Sequence, residues 1–188
     1  MASAKLLIAD GHHRFEVAYA NRARHGTLMA YFVSLADDAL VVRPIHRLVR
    51  PPARSAADVL RGICTLQPAE HLDALLQWLN GHDHRSAGTS PGLGRFGYYG
   101  GTQWNRVEVS AERMAEWLQR PSVPAAVARL DVSVLHGLIL PTQGVQAGQV
   151  SYTADLPTVL RAVDAGEAIA AWVLRPIPVE EVFAIASQ

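Results

Sequence analysis

Asp10-Gly11-His12-His13-Arg14 is the most informative segment of this chain. It lies between an apolar run at residues 5–9 and a helical pattern at residues 15–24. Because Asp-Gly is a strong turn signal, the pattern predicts a strand, a tight turn and then a helix. The two histidines and Arg14 are therefore expected at the start of that helix.

This predicted turn has the chemistry of an anion-binding site. The first N–H groups of a helix have no partner inside it, and the macrodipole places roughly half a positive charge there. Arg14 adds a bidentate fork that matches phosphate, and Gly11 lets the backbone approach a ligand closely. A simple capped helix start explains the segment less well, because His12, His13 and Arg14 add positive charge to an already positive end.

Several segments of the chain are similar to one known family. Residues 10–16 resemble the DGHHRYE signature of the family catalogued as domain of unknown function 1015. Further segments follow in that family's order. They are residues 43–49 (LPTHRLV in the family), 130–136 (LDVSVLH), 151–153 with 163–167 (TYT and VDAGE), 174–176 and 179–182. The shared order makes the resemblance specific.

The resemblance implies a relation to archaeal free-serine kinases and, more remotely, to ParB and sulfiredoxin, whose Gly-x-x-Arg turns hold nucleotide phosphates. It implies that Gly11, His12, His13 and Arg14 bind the phosphates of ATP or ADP. His12 and His13 would also stabilise charge on the transferred group, and Asp10 would hold Mg²⁺ as a third catalytic residue. From the residues alone, Asp10 could equally cap the helix or fix an imidazole tautomer.

His46 and Arg47 are the other predicted cofactor-binding residues. They follow a predicted strand and Pro44, and they could bring a further imidazole and guanidinium to the same pocket. An arginine that pairs with a carboxylate at a strand end is an equally good interpretation of the residues. The family segment favours the functional one.

The expected activity is phosphotransfer to a small hydroxylated metabolite such as serine. Family members usually have a segment ahead of DGHHR and continue past VEEV, so the chain is expected to be a partial member. The acid that activates the substrate hydroxyl in the serine kinases lies ahead of the turn, and no residue here matches it. The alternative is a non-catalytic nucleotide- or anion-binding module, or a protein-interaction module. Metal-dependent hydrolysis by Asp10, His12 and His13 is disfavoured, because adjacent side chains at a helix start point in different directions.

Composition limits the partners and the compartment. Of the 188 residues, 49% are hydrophobic, and 17 basic and 17 acidic side chains cancel. A formal net charge of zero argues against nucleic-acid and membrane partners. The single cysteine, Cys64, forms no internal disulfide and suits a reducing compartment, so a cytoplasmic location is predicted. If the first strand lacks its neighbours, its exposed edge is expected to favour homo-oligomers.

The predicted fold class is α+β, in two parts. Residues 1–50 are expected to form a small ParB/sulfiredoxin-like subdomain, with strands at 5–9, 28–35 and 40–43 and a helix at 15–24. Residues 51–188 are expected to form a mixed α/β part. Its predicted elements are helices at 56–62, 71–79, 111–118 (capped by Ser110), 121–128 and 131–140, a hairpin at 95–99 and 102–109, and a strand-helix-strand-helix unit at 149–153, 155–165, 168–174 and 179–186.

Other polar segments are interpreted as structural. Asp131 is predicted to be a helix N-cap, and a metal site shared with His136 is disfavoured because the two stand five residues apart. The loop segment at residues 82–85, His-Asp-His-Arg, lacks a third ligand nearby for a metal. Cys64 is predicted to be a small buried hydrophobe after a helix. The aromatic residues of the 95–101 hairpin are expected to pack in the sheet rather than to stack on a base.

Overall fold

A computed structural model of the chain describes residues 6–8, 10–34, 37, 40–51, 59–81, 93–179 and 181–182. The chain forms two compact units, a smaller one from residues 1–42 with 177–188 and a larger one from residues 43–176. The predicted domain boundary after residue 50 differs from this division. The domains 1–50 and 51–188 remain predictions, because compactness within one chain does not show which part folds independently.

The larger unit is built on one six-stranded sheet. The strands are β1 (His46–Val49), β2 (Cys64–Ala69), β3 (Arg95–Tyr99), β4 (Trp104–Val109), β5 (Val150–Thr153) and β6 (Ala170–Val173). Their order across the sheet is β2-β4-β3-β6-β1-β5, and every neighbouring pair is antiparallel. The predicted α+β class is confirmed.

The helices of the described residues are mostly short. They are α1 (His12–Ala20) in the smaller unit and, in the larger unit, α2 (Leu72–Asn80), α3 (Ala111–Leu118), α4 (Ala125–Ala128), α5 (Asp131–Val134), α6 (Leu140–Thr142) and α7 (Leu156–Asp164). A π-helical segment, Leu135–Ile139, joins α5 to α6. Within the part of the chain that the structure describes, no helix has the length and hydrophobicity needed to cross a membrane.

Local sequence signals explain several of these elements. The predicted hairpin forms β3 and β4, with Gly101 at a φ of 92° in the turn. Ser110 caps α3 by accepting a hydrogen bond from the Arg113 N–H at 3.4 Å, as predicted. Asp155 caps α7 in the same way through the Thr158 N–H at 2.9 Å. Each of these signals acts within a few residues, so the sequence reveals it directly.

Two hydrophobic layers cover the sheet. On one face, Phe96, Val107 and Trp172 pack against the 111–142 helices through Trp117 and Leu135, and all five are at most 3% exposed. On the other face, α2 and α7 pack on the strands. The buried side chains of α7 meet β1 and β6, and those of α2 meet β2 and β6, since alternate strand residues point to opposite faces.

The C-terminal strands enclose a strand from much earlier in the chain. β1 lies between β5 and β6 and is antiparallel to both, so β5 and β6 run parallel and α7 connects them. The strands predicted at 149–153 and 168–174 therefore lie in one sheet, joined by the predicted helix. β1 was not predicted to be a strand. Its partners lie about 100 residues later in the chain, and no local pattern marks that pairing.

The predicted N-terminal sheet is wrong for the residues that the structure describes. Residues 6–8, 27–34 and 40–43 form no strand, and the hydrogen-bonded ladder begins only at His46, after Pro44. An apolar run with β propensity is a strand only when a partner satisfies its backbone groups. Likeness to ParB and sulfiredoxin stays a prediction.

Other boundaries also differ from the predictions. The first helix begins at His12 and ends at Ala20, earlier than the predicted 15–24, and α4 starts at Ala125 rather than at residue 121. Cys64 begins strand β2 instead of following a helix. This strand contains Pro68, and a proline in the sequence argues against a strand. The 82–85 segment, residues 56–58 of the helix predicted at 56–62, and residues 180 and 183–186 of the helix predicted at 179–186 lie outside the described residues. The described residues 60–62 form no helix, so that part of the prediction is wrong.

Candidate functional site

The Asp10–Arg14 turn opens helix α1 in the smaller unit. Gly11 is the N-cap residue and adopts a left-handed conformation, with φ 82° and ψ 27°. Among the described residues no side chain caps the helix, and no acidic residue lies in its first turn. The first backbone hydrogen bond runs from the Phe15 N–H to the Gly11 carbonyl at 2.9 Å. The N–H groups that precede Phe15 in the helix have the orphan character expected of a helix start.

Asp10 folds back over this turn. One carboxylate oxygen accepts a hydrogen bond from the Gly11 N–H at 2.7 Å, and the other accepts one from the Arg14 guanidinium at 3.0 Å. The guanidinium lies against Gly11 so closely that a Cβ there would stand 3.1 Å from Nη2. Gly11 thus provides both the left-handed backbone and the space for Arg14.

The turn is open to solvent. The side chains of Arg14 and Asp10 are 78% and 91% exposed. His13 contacts Glu16, with Nδ1 and Oε2 3.3 Å apart, and His12 is exposed without a contact to the described residues. A ligand could therefore reach the helix N–H groups, both imidazoles and the guanidinium without a rearrangement of the core.

His46 and Arg47 lie on β1 in the larger unit, and as strand neighbours they point to opposite faces of the sheet. His46 is only 2% exposed, and its Nδ1 accepts a hydrogen bond from the Leu174 N–H at 3.3 Å. Burial and the neighbouring Arg47 lower the pKa of His46 to about 4, so its imidazole is neutral at pH 7. The contact joins β1 to the residue after β6.

Arg47 points to the face of the sheet that the 111–142 helices cover, and it is 9% exposed there. Its Nε donates to His136 Nε2 at 3.1 Å, and its Nη1 donates to the Ile45 carbonyl. The guanidinium also faces the Tyr152 ring, with 5.2 Å from the guanidinium carbon to the ring centroid. Desolvation lowers the pKa of Arg47. We define Arg47, His136 and Tyr152 as the Arg47 cluster.

His136 is a member of this cluster that sequence reasoning did not select. It lies in the π-helical segment, where the chain makes a wider turn than an α-helix. Its ring stacks on Tyr152 with centroids 6.2 Å apart and planes 7° apart. Burial, and to a smaller degree Arg47, lower the pKa of His136. The only sequence signal for it was its place at the end of the 130–136 family segment.

Asp131 has a structural role, but it is not the predicted N-cap. Leu130 occupies the N-cap position, and Asp131 is 7% exposed at the first position of α5. Its carboxylate accepts from the Gly94 N–H at 2.9 Å and from Arg175 Nε at 2.5 Å. Asp131 and His136 thus hold two different buried arginines. In the ranges that the structure describes, no three metal-ligating side chains come together.

The chain has structural relatives at low identity. One is a conserved hypothetical protein from Pyrococcus furiosus, 14% identical with a TM-score of 0.47, where the match covers 96% of this chain and 63% of that chain. Another is a free serine kinase in complex with AMP, 16% identical with a TM-score of 0.45, covering 96% of this chain and 61% of that one. The chain spans about three fifths of the length of each.

Comparison by sequence gives a clearer result. No curated protein matches the chain significantly. Residues 1–133 match the family described as protein of unknown function (DUF1015), and this region holds the Asp10–Arg14 turn, β1 and Asp131. Because the match extends over more than half of the sequence, the chain belongs to the DUF1015 family.

Proposed function

We propose that the Asp10–Arg14 turn binds the phosphate groups of a nucleotide, ATP or ADP, together with Mg²⁺. We further propose that the whole protein uses this site for phosphotransfer to a small hydroxylated metabolite such as serine. The observation that carries the proposal is the uncapped start of α1, where Gly11 is left-handed and Arg14 lies over the turn. An anion there would meet orphan N–H groups and a guanidinium together.

The contact between Arg14 and Asp10 does not compete strongly with a ligand. Both side chains are exposed, and an exposed ion pair is typically worth about 0–1 kcal/mol. A phosphate group carries more charge than one carboxylate and would also engage the helix N–H groups. Arg14 is therefore held near the turn by Asp10 but is available for exchange to a phosphate.

Each neighbouring side chain has a proposed role. His12 and His13 would donate hydrogen bonds to phosphate oxygens and stabilise charge on the transferred group. Asp10 fits a Mg²⁺ ion, because magnesium in nucleotide sites is commonly held by one or two carboxylates and the phosphates themselves. Arg47 lies in the larger unit, and its role there is separate from the turn. The imidazole of His46 is buried, so His46 would act in that unit through its contact with Leu174, the residue after β6.

The test is calorimetric titration of the chain with ADP, ATP and CTP, with and without Mg²⁺. We expect saturable binding that weakens by about tenfold or more in Arg14→Ala, equivalent to about 1.4 kcal/mol. Arg22→Ala is the matched control. It removes an equal charge from the end of the same helix, where Arg22 donates to the Tyr19 carbonyl. Equal affinity of Arg14→Ala and Arg22→Ala would refute the proposed site.

A second candidate, a protein-interaction module, is favoured by a different observation. The smaller unit exposes a run of large apolar side chains. Their exposed fractions are 50% for Leu28, 98% for Met29, 93% for Tyr31, 59% for Phe32 and 44% for Val33. Exposed apolar surface of this kind marks interaction sites. Concentration-dependent association in sedimentation, reduced by Tyr31→Glu, together with no nucleotide binding, would favour this function over the first.

A further inference from the structure

The side chain of Arg47 is a buried cation without a carboxylate partner among the described residues. It is 9% exposed, and its contacts are a carbonyl, a neutral imidazole and an aromatic ring. Arg175, whose side chain is also 9% exposed, pairs instead with Asp131 at 2.5 Å. A buried charge without a counter-charge costs several kcal/mol, and a bound anion would offset that cost.

Arg47 keeps part of its hydrogen-bonding capacity. A guanidinium has five N–H donors, and two of them have partners in the part of the chain that the structure describes. The remaining donors include those of Nη2. Two N–H groups at one edge of a guanidinium match the two oxygens of a carboxylate or phosphate. Arg47 therefore has donors for an oxyanion, and none of the described residues supplies one.

The two other members of the cluster supply further donors. Because His136 Nε2 accepts from Arg47, the proton of this neutral imidazole lies on Nδ1, which has no partner among the described residues. The Tyr152 hydroxyl likewise has no described hydrogen-bond partner. Tyr152 stands directly opposite Arg47 across β1 and β5, and the residue is 58% exposed. The cluster thus reaches solvent at the edge strand of the sheet.

The backbone is shaped to place His136 in this cluster. The π-helical turn at Leu135–Ile139 interrupts a run of α-helical residues, and such turns occur frequently at functional sites. Gly137 within it lies so close to Trp117 that a Cβ would stand 2.1 Å from the ring. The packing of Trp117 therefore fixes the segment from which His136 extends.

We propose that Arg47, His136 and Tyr152 form an oxyanion-binding site in the larger unit that takes the carboxylate or phosphate group of a small metabolite. Arg47 supplies the charge and a two-donor edge. His136 and Tyr152 supply single donors, and the Tyr152 ring shields the guanidinium from water. The inference does not rest on nucleotide binding at the Asp10–Arg14 turn, because every contact in it lies within residues 43–176.

The test is titration of the full chain with inorganic phosphate and, separately, with acetate at constant ionic strength. Binding is followed through the Nε–H resonance of Arg47, which the contact with His136 protects from exchange. We expect saturable shifts with a Kd on the order of 1 mM for one or both anions. A saturable shift with phosphate alone would identify a phosphate site, and one with acetate alone would identify a carboxylate site. Shifts with both anions would identify a general oxyanion site. No saturable shift with either anion would overturn the proposal.

Variants separate this site from a structural arginine. In Arg47→Met, which retains an apolar stem, calorimetry is expected to show at least a tenfold loss of anion affinity with unfolding stability unchanged or higher. Arg47→Lys keeps the charge, loses the fork and is expected to bind more weakly than wild type. Arg161→Met, which removes an exposed arginine from α7, is the control. The proposal would be overturned if Arg47→Lys and Arg47→Met both bound the anion with wild-type affinity. It would also be overturned if both variants lost unfolding stability.

The two proposed sites fail independently. Arg14→Ala is expected to keep its affinity for phosphate or acetate at Arg47 while its nucleotide affinity falls. If Arg14→Ala abolished the response of the Arg47 Nε–H resonance, the anion would be bound at the turn and the site at Arg47 would be refuted.

Discussion

Arg14 and Arg47 each follow a histidine, in segments that resemble the same family, and the fold treats them in opposite ways. The Arg14 side chain is 78% exposed and touches the carboxylate of Asp10. Arg47 is 9% exposed on a strand between two other strands, and its contacts among the described residues are neutral groups. Water already stabilises the charge at the turn, whereas in the sheet only the protein or a ligand can do so.

This difference separates the two proposed anion sites. The turn relies on backbone N–H groups that a helix start leaves unpaired, so its formation needs little tertiary structure. The Arg47 cluster depends on three elements: β1, β5 and the π-helical segment, and Arg47 on β1 lies 89 residues before His136. The turn is therefore expected to tolerate substitution with small effects on folding, while breaking the pair between Asp131 and Arg175 is expected to destabilise the larger unit.

The largest expected effect is that of Asp131→Ala. The substitution leaves Arg175 buried without this carboxylate and leaves the Gly94 N–H without its acceptor. Breaking a buried ion pair in this way costs about 3–5 kcal/mol of unfolding free energy. Urea unfolding measures it, with Glu116→Ala as control for the exposed pair to Arg113. If Asp131→Ala lowers the unfolding free energy no more than Glu116→Ala does, burial does not distinguish the larger unit from the exposed turn.

The next effect is a dependence of stability on pH caused by His46. Its pKa is about 4 in the folded chain and about 6.5 when unfolded, so the unfolded state binds the proton more tightly. Stability is therefore complete above about pH 6.5 and falls as the pH is lowered toward 4, by up to about 3 kcal/mol.

His46→Asn isolates this contribution. Asparagine retains an acceptor for the Leu174 N–H but does not titrate. The difference in unfolding free energy between wild type and variant is measured from pH 7.0 to pH 4.0, a range that covers both pKa values. A difference that stays constant over this range would mean that folding does not lower the pKa of His46.

The smallest expected effect on stability is that of Arg14→Ala. The removed contact with Asp10 is an exposed pair four residues apart, and such pairs contribute about 0.3–0.5 kcal/mol. Thermal unfolding should thus barely change, although nucleotide affinity falls. A loss of stability as large as that of Asp131→Ala would show that the turn is a structural element and would remove the contrast with Arg47.

Elements built from neighbouring residues were predictable. The β3–β4 hairpin, the Ser110 cap and the helical start at the histidines depend on contacts a few residues apart, and their signals are local. The strands predicted at residues 28–35 and 40–43 had the same apolar composition as true strands. They failed because composition shows that a segment is able to pair, not that a partner is present.

The sequence by itself determined the family, the α+β class, and a helix start rich in positive charge, because each depends on residue identity and short-range spacing. Only the tertiary structure decided that β1 lies between β5 and β6, that Asp131 clasps Arg175, and that His136 meets Arg47 89 residues away in the chain. Burial and desolvation depend on which distant segments pack together. The tertiary structure therefore decides the charge state of a buried histidine and the free-energy cost of burying an arginine.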